Sequence, residues 1–150
     1  MLILQIDISW AYRIKSLASC LIKYDRYAPN YAVERVYNDI LGFRVIVESY
    51  DNIQEIGSAS RISDMRRGKK IDDGYRGMHV YYQKDHFHYP VEVQYNTYKD
   101  RWPNDMLHKH LYKKNISASI GASLRESYEK GNIKDAESFR RDLNVLLDCQ

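Results

Sequence analysis

The chain is poor in the residues that would place it in several protein classes. It has three prolines and seven glycines in 150 residues, too few for a low-complexity or unfolded chain. Its two cysteines, Cys20 and Cys149, stand far apart and form no CxxC pair. They read as a small core residue and a tail thiol, in keeping with a reducing compartment. No run approaches the ~18 apolar residues of a membrane span. The opening Met1-Leu2-Ile3-Leu4-Gln5-Ile6 is apolar but lacks the basic leader and cleavage pattern of a signal peptide. A cytoplasmic protein with no membrane partner is therefore expected. An excess of one charge is also missing: 23 Lys and Arg stand against 20 Asp and Glu, a net charge of +3. That balance suits anionic ligands without demanding a nucleic acid.

What is present fits a globular domain. Hydrophobic residues make up 44% and charged residues 29%, and the length suffices for one domain with a core. Fourteen tyrosines favour strands and stacking surfaces over a purely aliphatic interior.

Periodicity predicts the order of elements. From Ser9 to about Lys23, Ile14, Leu17, Ala18, Leu21 and Ile22 recur at helical spacing, with Ser9 as N-cap. On such a helix Lys15, Ser19 and Lys23 form one polar stripe. Arg13, about 200° round from Lys15, would work from a different flank. A buried strand is expected over 43–48, a short helix or turn over 51–56 and a short strand over 61–65. The basic loop Arg66-Arg67-Gly68-Lys69-Lys70 follows. Two longer strands, about 77–83 and 89–96, are joined by a turn at 84–88. In the second, Val91, Val93 and Tyr95 point one way while Glu92, Gln94 and Asn96 point the other. The polar face is where a ligand is expected. Helices are predicted over about 98–113, 117–130 and 135–147, with Leu124, Tyr128, Phe139, Leu143 and Leu147 on their apolar stripes. The expectation is an α+β single domain over 1–150, a mixed β-sheet flanked by helices, with trailing C-terminal helices over about 115–148.

The chemistry concentrates between Asp39 and Gln94. The chain reads Asp39-Ile40-Leu41-Gly42-Phe43-Arg44, then Gly74-Tyr75-Arg76-Gly77-Met78-His79, then Val91-Glu92-Val93-Gln94. Two carboxylates, Asp39 and Glu92, flank a tyrosine and a histidine, with Arg13, Lys15 and Lys23 upstream. Phosphate transfer needs this inventory: carboxylates for a divalent metal and a base, cations for phosphates, and a ring to stack a base. Each residue also has a plainer reading: a surface aspartate, a structural arginine, a solvated helix face, a turn tyrosine, a strand glutamate facing solvent. His86 and His88 fall in a hairpin turn. His108 and His110, two apart on a helix, face differently and are not expected to be joint ligands.

In order and spacing these motifs resemble the RelA/SpoT nucleotidyltransferase family, the alarmone (ppGpp) synthetases, over about 13–113. The resemblance implies a nucleotidyltransferase-like fold and Mg2+ held by Asp39 and Glu92. It implies Arg13 stacked on adenine, Lys15 and Lys23 on the phosphates of ATP, and Arg44 against ATP. On the acceptor side it implies Tyr75 stacking the guanine of GDP or GTP and His79 near the acceptor phosphates. Gln94 shares the Glu-x-Gln strand with Glu92, which would activate the acceptor 3′-hydroxyl. Arg61 and Lys70 complete the acceptor side, and Leu107 to Lys113 looks like the family's segment carrying a His and a Tyr. Three positions depart from the pattern: Ser63 where lysine is usual, Asn96 where arginine is usual, and Asp73 where asparagine commonly precedes Gly-Tyr.

The function expected from the resemblance is pyrophosphate transfer from ATP to GDP or GTP. An alternative acceptor is the 3′ end of tRNA, guided by Arg66, Arg67, Lys69 and Lys70. A third reading, motivated by Ser63 and Asn96, is a non-catalytic nucleotide-binding protein of the same fold. The chain begins only about a dozen residues before the first motif, where the family usually has a further helical segment. It therefore reads as a small stand-alone synthetase, shortened at its start. A homo-oligomer through the C-terminal helices is a further expectation.

Overall fold

A computed structural model describes residues 9–28, 30–53, 60–114 and 116–149. The chain divides into two compact units, one of residues 1–64 with 78–97, the other of 65–77 with 98–150.

The first unit is built on five strands: β1 (Trp10–Ile14), β2 (Leu41–Val47), β3 (Ser60–Asp64), β4 (Met78–Tyr82) and β5 (Val91–Thr97). Their order across the sheet is β1-β2-β5-β4-β3. The β2–β5 pair is parallel and the others are antiparallel, so the expected mixed sheet is found. The described residues of this unit also form α1 (Leu17–Tyr27) and the single turn α2 (Val33–Val36).

The helix predicted from Ser9 is corrected. Its first part is strand β1, in which Trp10, Tyr12 and Ile14 alternate with Ala11 and Arg13 and pair with β2. Aromatic and β-branched residues at period two favour that conformation. Helix α1 starts only after Ser16, whose hydroxyl accepts from the Ser19 N–H at 3.3 Å. Lys15 therefore lies between the two elements, its N–H donating to the Ile40 carbonyl at 2.8 Å. The stripe Lys15–Ser19–Lys23 does not exist on one helix. Strand β2 begins at Leu41, two residues before the expected start, and a 3-10 turn covers Tyr50–Asn52. The later part of the 51–56 prediction lies outside the described residues.

The second unit is helical, with α3 (Tyr98–His110), α4 (Ala118–Glu129) and α5 (Ala136–Asp148) close to the predicted ranges. Its core gathers Met106, Leu107, Leu111, Ile120, Leu124, Ile133, Phe139 and Leu143. Helix α5 starts on a capping box in which Asp135 and Ser138 satisfy each other's backbone N–H groups. The loop 65–77 is tied to α3 through Asn104, which accepts from the Arg76 N–H at 3.1 Å and donates to the Arg76 carbonyl at 2.6 Å.

Candidate functional site

Strand register gathers the polar residues of the first unit onto one face. Arg13 pairs with Gly42, Gly42 with Glu92, Glu92 with Tyr81 and Tyr81 with Arg61, one row across all five strands. Two residues along, Ala11, Arg44, Gln94, His79 and Ser63 form a second row. Because side chains two apart on a strand share a face, Arg13, Arg44, Glu92, Gln94, His79, Tyr81 and Arg61 all belong to one surface. The parallel β2–β5 pairing sets Arg44 beside Gln94. The Nε and Nη2 of Arg44 donate to Gln94 Oε1 at 3.3 and 3.2 Å.

A hollow in this surface is lined by Ala11, Arg13, Gly42, Arg44 and Gln94, with Tyr12 and Phe43. Gly42 makes the space. A Cβ there would lie 3.7 Å from Glu92 Oε2 and 3.8 Å from both Cγ and Nε of Arg13.

Asp39, just before β2, is the focus of the cations. Its Oδ2 lies 2.7 Å from Lys15 Nζ and 3.6 Å from Arg13 Nη2, and its Oδ1 lies 2.9 Å from Lys23 Nζ. Lys23 also donates to Asn38 Oδ1 at 3.0 Å. Arg13 and Lys15 thus meet one carboxylate, against the expectation of different flanks. They are two residues apart on an extended run rather than on a helix. Burial alone would raise the Asp39 pKa, but hydrogen bonds and charge from Lys15 and Lys23 outweigh it and hold the carboxyl below its ordinary range.

Glu92 is 4% exposed, so the reading of a solvent-facing strand glutamate does not hold. Tyr81 Oη donates to its Oε1 at 3.0 Å, and His79 Nδ1 lies 3.1 Å from the same oxygen. Gln94 Nε2 donates to Oε2 at 2.8 Å. Burial pushes the Glu92 pKa up, but His79 first, then Gln94 and Tyr81, bring it below its ordinary range. The Tyr81 phenol is pushed far up by burial and by the Glu92 charge, which keeps it a proton donor. The Arg61 guanidinium lies over the Tyr81 ring, 4.5 Å from its centroid. Sequence reasoning passed over Tyr81. Its signal was its place two residues after His79 on the same strand face.

Glu92 and Gln94 lie on the face of β5 expected to be polar, whereas Asn96, in line with them, is 1% exposed and not presented to a ligand. Its Nδ2 donates to the Tyr95 carbonyl at 3.0 Å.

Tyr75 and Lys70 belong to the second unit. Asp73 organises the surroundings of Tyr75. Its Oδ1 accepts from the Tyr75 N–H at 3.2 Å and its carbonyl from Tyr112 Oη at 3.1 Å. Its Oδ2 holds Lys69 Nζ at 2.6 Å, and that ammonium lies 5.3 Å from the Tyr75 ring centroid and 5.8 Å from that of Tyr112. Lys70 is exposed. Arg76, unassigned from sequence, donates through Nη1 and Nη2 to Asp72 at 2.8 and 3.0 Å. On α3 the His108 ring meets Tyr112 and the His110 ring meets Phe139, so the two histidines face differently.

Magnesium takes oxygen ligands, usually one or two carboxylates with phosphates and water completing the shell. Asp39 and Glu92 offer donors of that kind, and each carboxylate oxygen has more than one lone pair. Among the described residues no group of three His, Cys, Asp or Glu could hold an ion by itself. Among them, too, no helix is long and apolar enough to cross a membrane.

Residues 12–117 match the family model described as a region found in RelA / SpoT proteins. Three solved structures are similar over most of their length. A GTP pyrophosphokinase family protein from Streptococcus pneumoniae is 25% identical, with a TM-score of 0.54 over 90% of this chain and 79% of that one. Small alarmone synthetase 1 from Bacillus subtilis, bound to its product pppGpp, is 22% identical, with a TM-score of 0.54 over 84% and 79%. Small alarmone synthetase 2 from Bacillus subtilis is 20% identical, with a TM-score of 0.55 over 93% and 80%. No curated protein sequence matches the chain.

Proposed function

The chain belongs to the RelA/SpoT family, and from that premise we propose that it transfers the β,γ-pyrophosphoryl group of ATP to the 3′-hydroxyl of GDP or GTP. The observation that carries this reading is the position of Arg13. Its guanidinium lies 3.6 Å from Asp39, and it lines the hollow over Gly42, where a Cβ on Gly42 would lie 3.8 Å from its Cγ and 3.7 Å from Glu92 Oε2. One cation thereby links a lysine-bound carboxylate to the hollowed sheet face that Glu92 shares.

In this mechanism Arg13 stacks on adenine, Arg44 lies against ATP, and Lys15 and Lys23 take the phosphates. A phosphate oxygen competes with Asp39 for the same ammonium groups, so nucleotide binding releases Asp39 from its lysines. Asp39 and Glu92 would hold a magnesium ion. When bound, that ion neutralises phosphate charge and aids departure of the AMP oxygen. Glu92 accepts the proton of the acceptor hydroxyl. The 3′-oxygen forms a bond to the β-phosphorus, the bond from that phosphorus to the α,β-bridging oxygen breaks, and AMP leaves. Catalysis is mainly positioning and charge neutralisation. On this face His79, Gln94 and Arg61 serve the acceptor.

Formation of AMP from ATP with magnesium tests the reading, with GDP, GTP and bulk tRNA as separate acceptors and Glu92→Ala as control. The expected result is AMP with GDP or GTP, lost in the variant. AMP formed only with tRNA would redirect the function to RNA. Nucleotide binding without AMP would leave a binding protein.

A further inference from the structure

A general base works from a fixed position, and both oxygens of Glu92 are held. Oε1 has two partners. It accepts from Tyr81 Oη at 3.0 Å and lies 3.1 Å from His79 Nδ1. Oε2 accepts from Gln94 at 2.8 Å and would lie 3.7 Å from a Cβ on Gly42. His79 and Gln94 lie in the neighbouring row of the sheet, whereas Tyr81 pairs directly with Glu92 in its own row.

From this geometry we infer that Tyr81 is a positioning residue. Its phenol pins Oε1 and so fixes the carboxylate with Oε2 on the side of Gly42, and its ring supports Arg61 4.5 Å from the centroid. The inference rests on Glu92 being the base. Two functions separate within one side chain. The hydroxyl acts on the carboxylate and so on the chemical step. The ring acts on a cation at the acceptor side and so on acceptor affinity. Register makes the coupling direct, because Arg61, Tyr81 and Glu92 are consecutive members of one row across β3, β4 and β5.

The test compares the full chain with Tyr81→Phe and Tyr81→Leu, following AMP formation from ATP with GDP, GTP or tRNA, and taking kcat and KM separately. A hydrogen bond to a charged group is strong enough for its loss to matter by about tenfold or more. Tyr81→Phe is therefore expected to lower kcat by about tenfold, with KM for the acceptor and for ATP unchanged. Tyr81→Leu, which also removes the support under Arg61, is expected to add a severalfold rise in acceptor KM. A purely structural role would move both parameters together in Tyr81→Phe and lower its thermal midpoint. A wild-type kcat in Tyr81→Phe, or joint loss with a lowered midpoint, overturns the inference and leaves the proposed function standing. A wild-type chain that forms no AMP with any acceptor overturns the function, and the inference with it.

Discussion

Gly74 and Gly121 meet backbone to backbone. A Cβ on Gly74 would fall 2.3 Å from the Gly121 carbonyl oxygen, and one on Gly121 would fall 2.1 Å from the carbonyl oxygen of Asp73. The loop carrying Tyr75 is therefore seated on α4 with no room for a side chain on either partner. Gly74 additionally holds φ at +86°, a region costly for other residues.

Gly121→Ala is the cleaner test of this seat, because helical φ and ψ leave alanine otherwise favoured over glycine. The clash is with main chain, which cannot rotate away, so the variant is expected to lose about 1–3 kcal/mol of stability despite its better helix propensity. Urea unfolding of the two chains measures the difference. A variant as stable as wild type would mean that loop and helix separate at no cost.

The Asp72–Arg76 pair predicts an acid-sensitive contribution to the same loop. Arg76 hydrogen bonds first, opposed by burial and helped by the Gly74 N–H, lower the Asp72 pKa below its ordinary value. With the folded value depressed, the unfolded chain binds more protons at low pH. The stabilisation is then complete above about pH 4 and fades as pH falls through the folded-state value. Asp72→Asn is expected to lower the thermal midpoint at pH 6, with the gap to wild type closing toward pH 2. A gap that stays constant across that range would contradict the ionic origin.

The later strands of the mixed sheet and the trailing helices were legible because their patterns are local. Val91, Val93 and Tyr95 alternate at period two, and Asp135 precedes an apolar stripe at helical spacing. The start of the chain misled for a physical reason. Ile14 falls in helical phase with Leu17 and Leu21, yet it also alternates with Tyr12 and Trp10, and pairing with β2 decides between the two periods. The actual cap, Ser16, sits inside the span read as helix. The residues around Asp39 and Glu92 were found as types in order, but their partners follow from register. That Tyr81 lies on Glu92, and that Arg13 and Lys15 share Asp39, depends on which strands pair, information distributed over residues 10–97 rather than held in any motif.

Gly42 offers a graded test of the hollow itself. Its missing side chain points between Arg13 and Glu92, where a methyl would make ordinary contacts of 3.7 to 3.8 Å. Gly42→Ala should consequently fit, and strand residues tolerate it. Gly42→Val adds two further methyl groups directed into the space that a nucleotide would enter, while its β-branched side chain suits a strand. The expectation is an alanine variant within about twofold of wild type in ATP affinity. The valine variant should bind ATP at least about tenfold more weakly, a difference of ~1.4 kcal/mol, with its thermal midpoint preserved. Titration calorimetry with ATP and magnesium reads the affinities directly, independent of turnover. Undiminished ATP binding by the valine variant would move the nucleotide site away from the face shared by Arg13, Arg44 and Glu92.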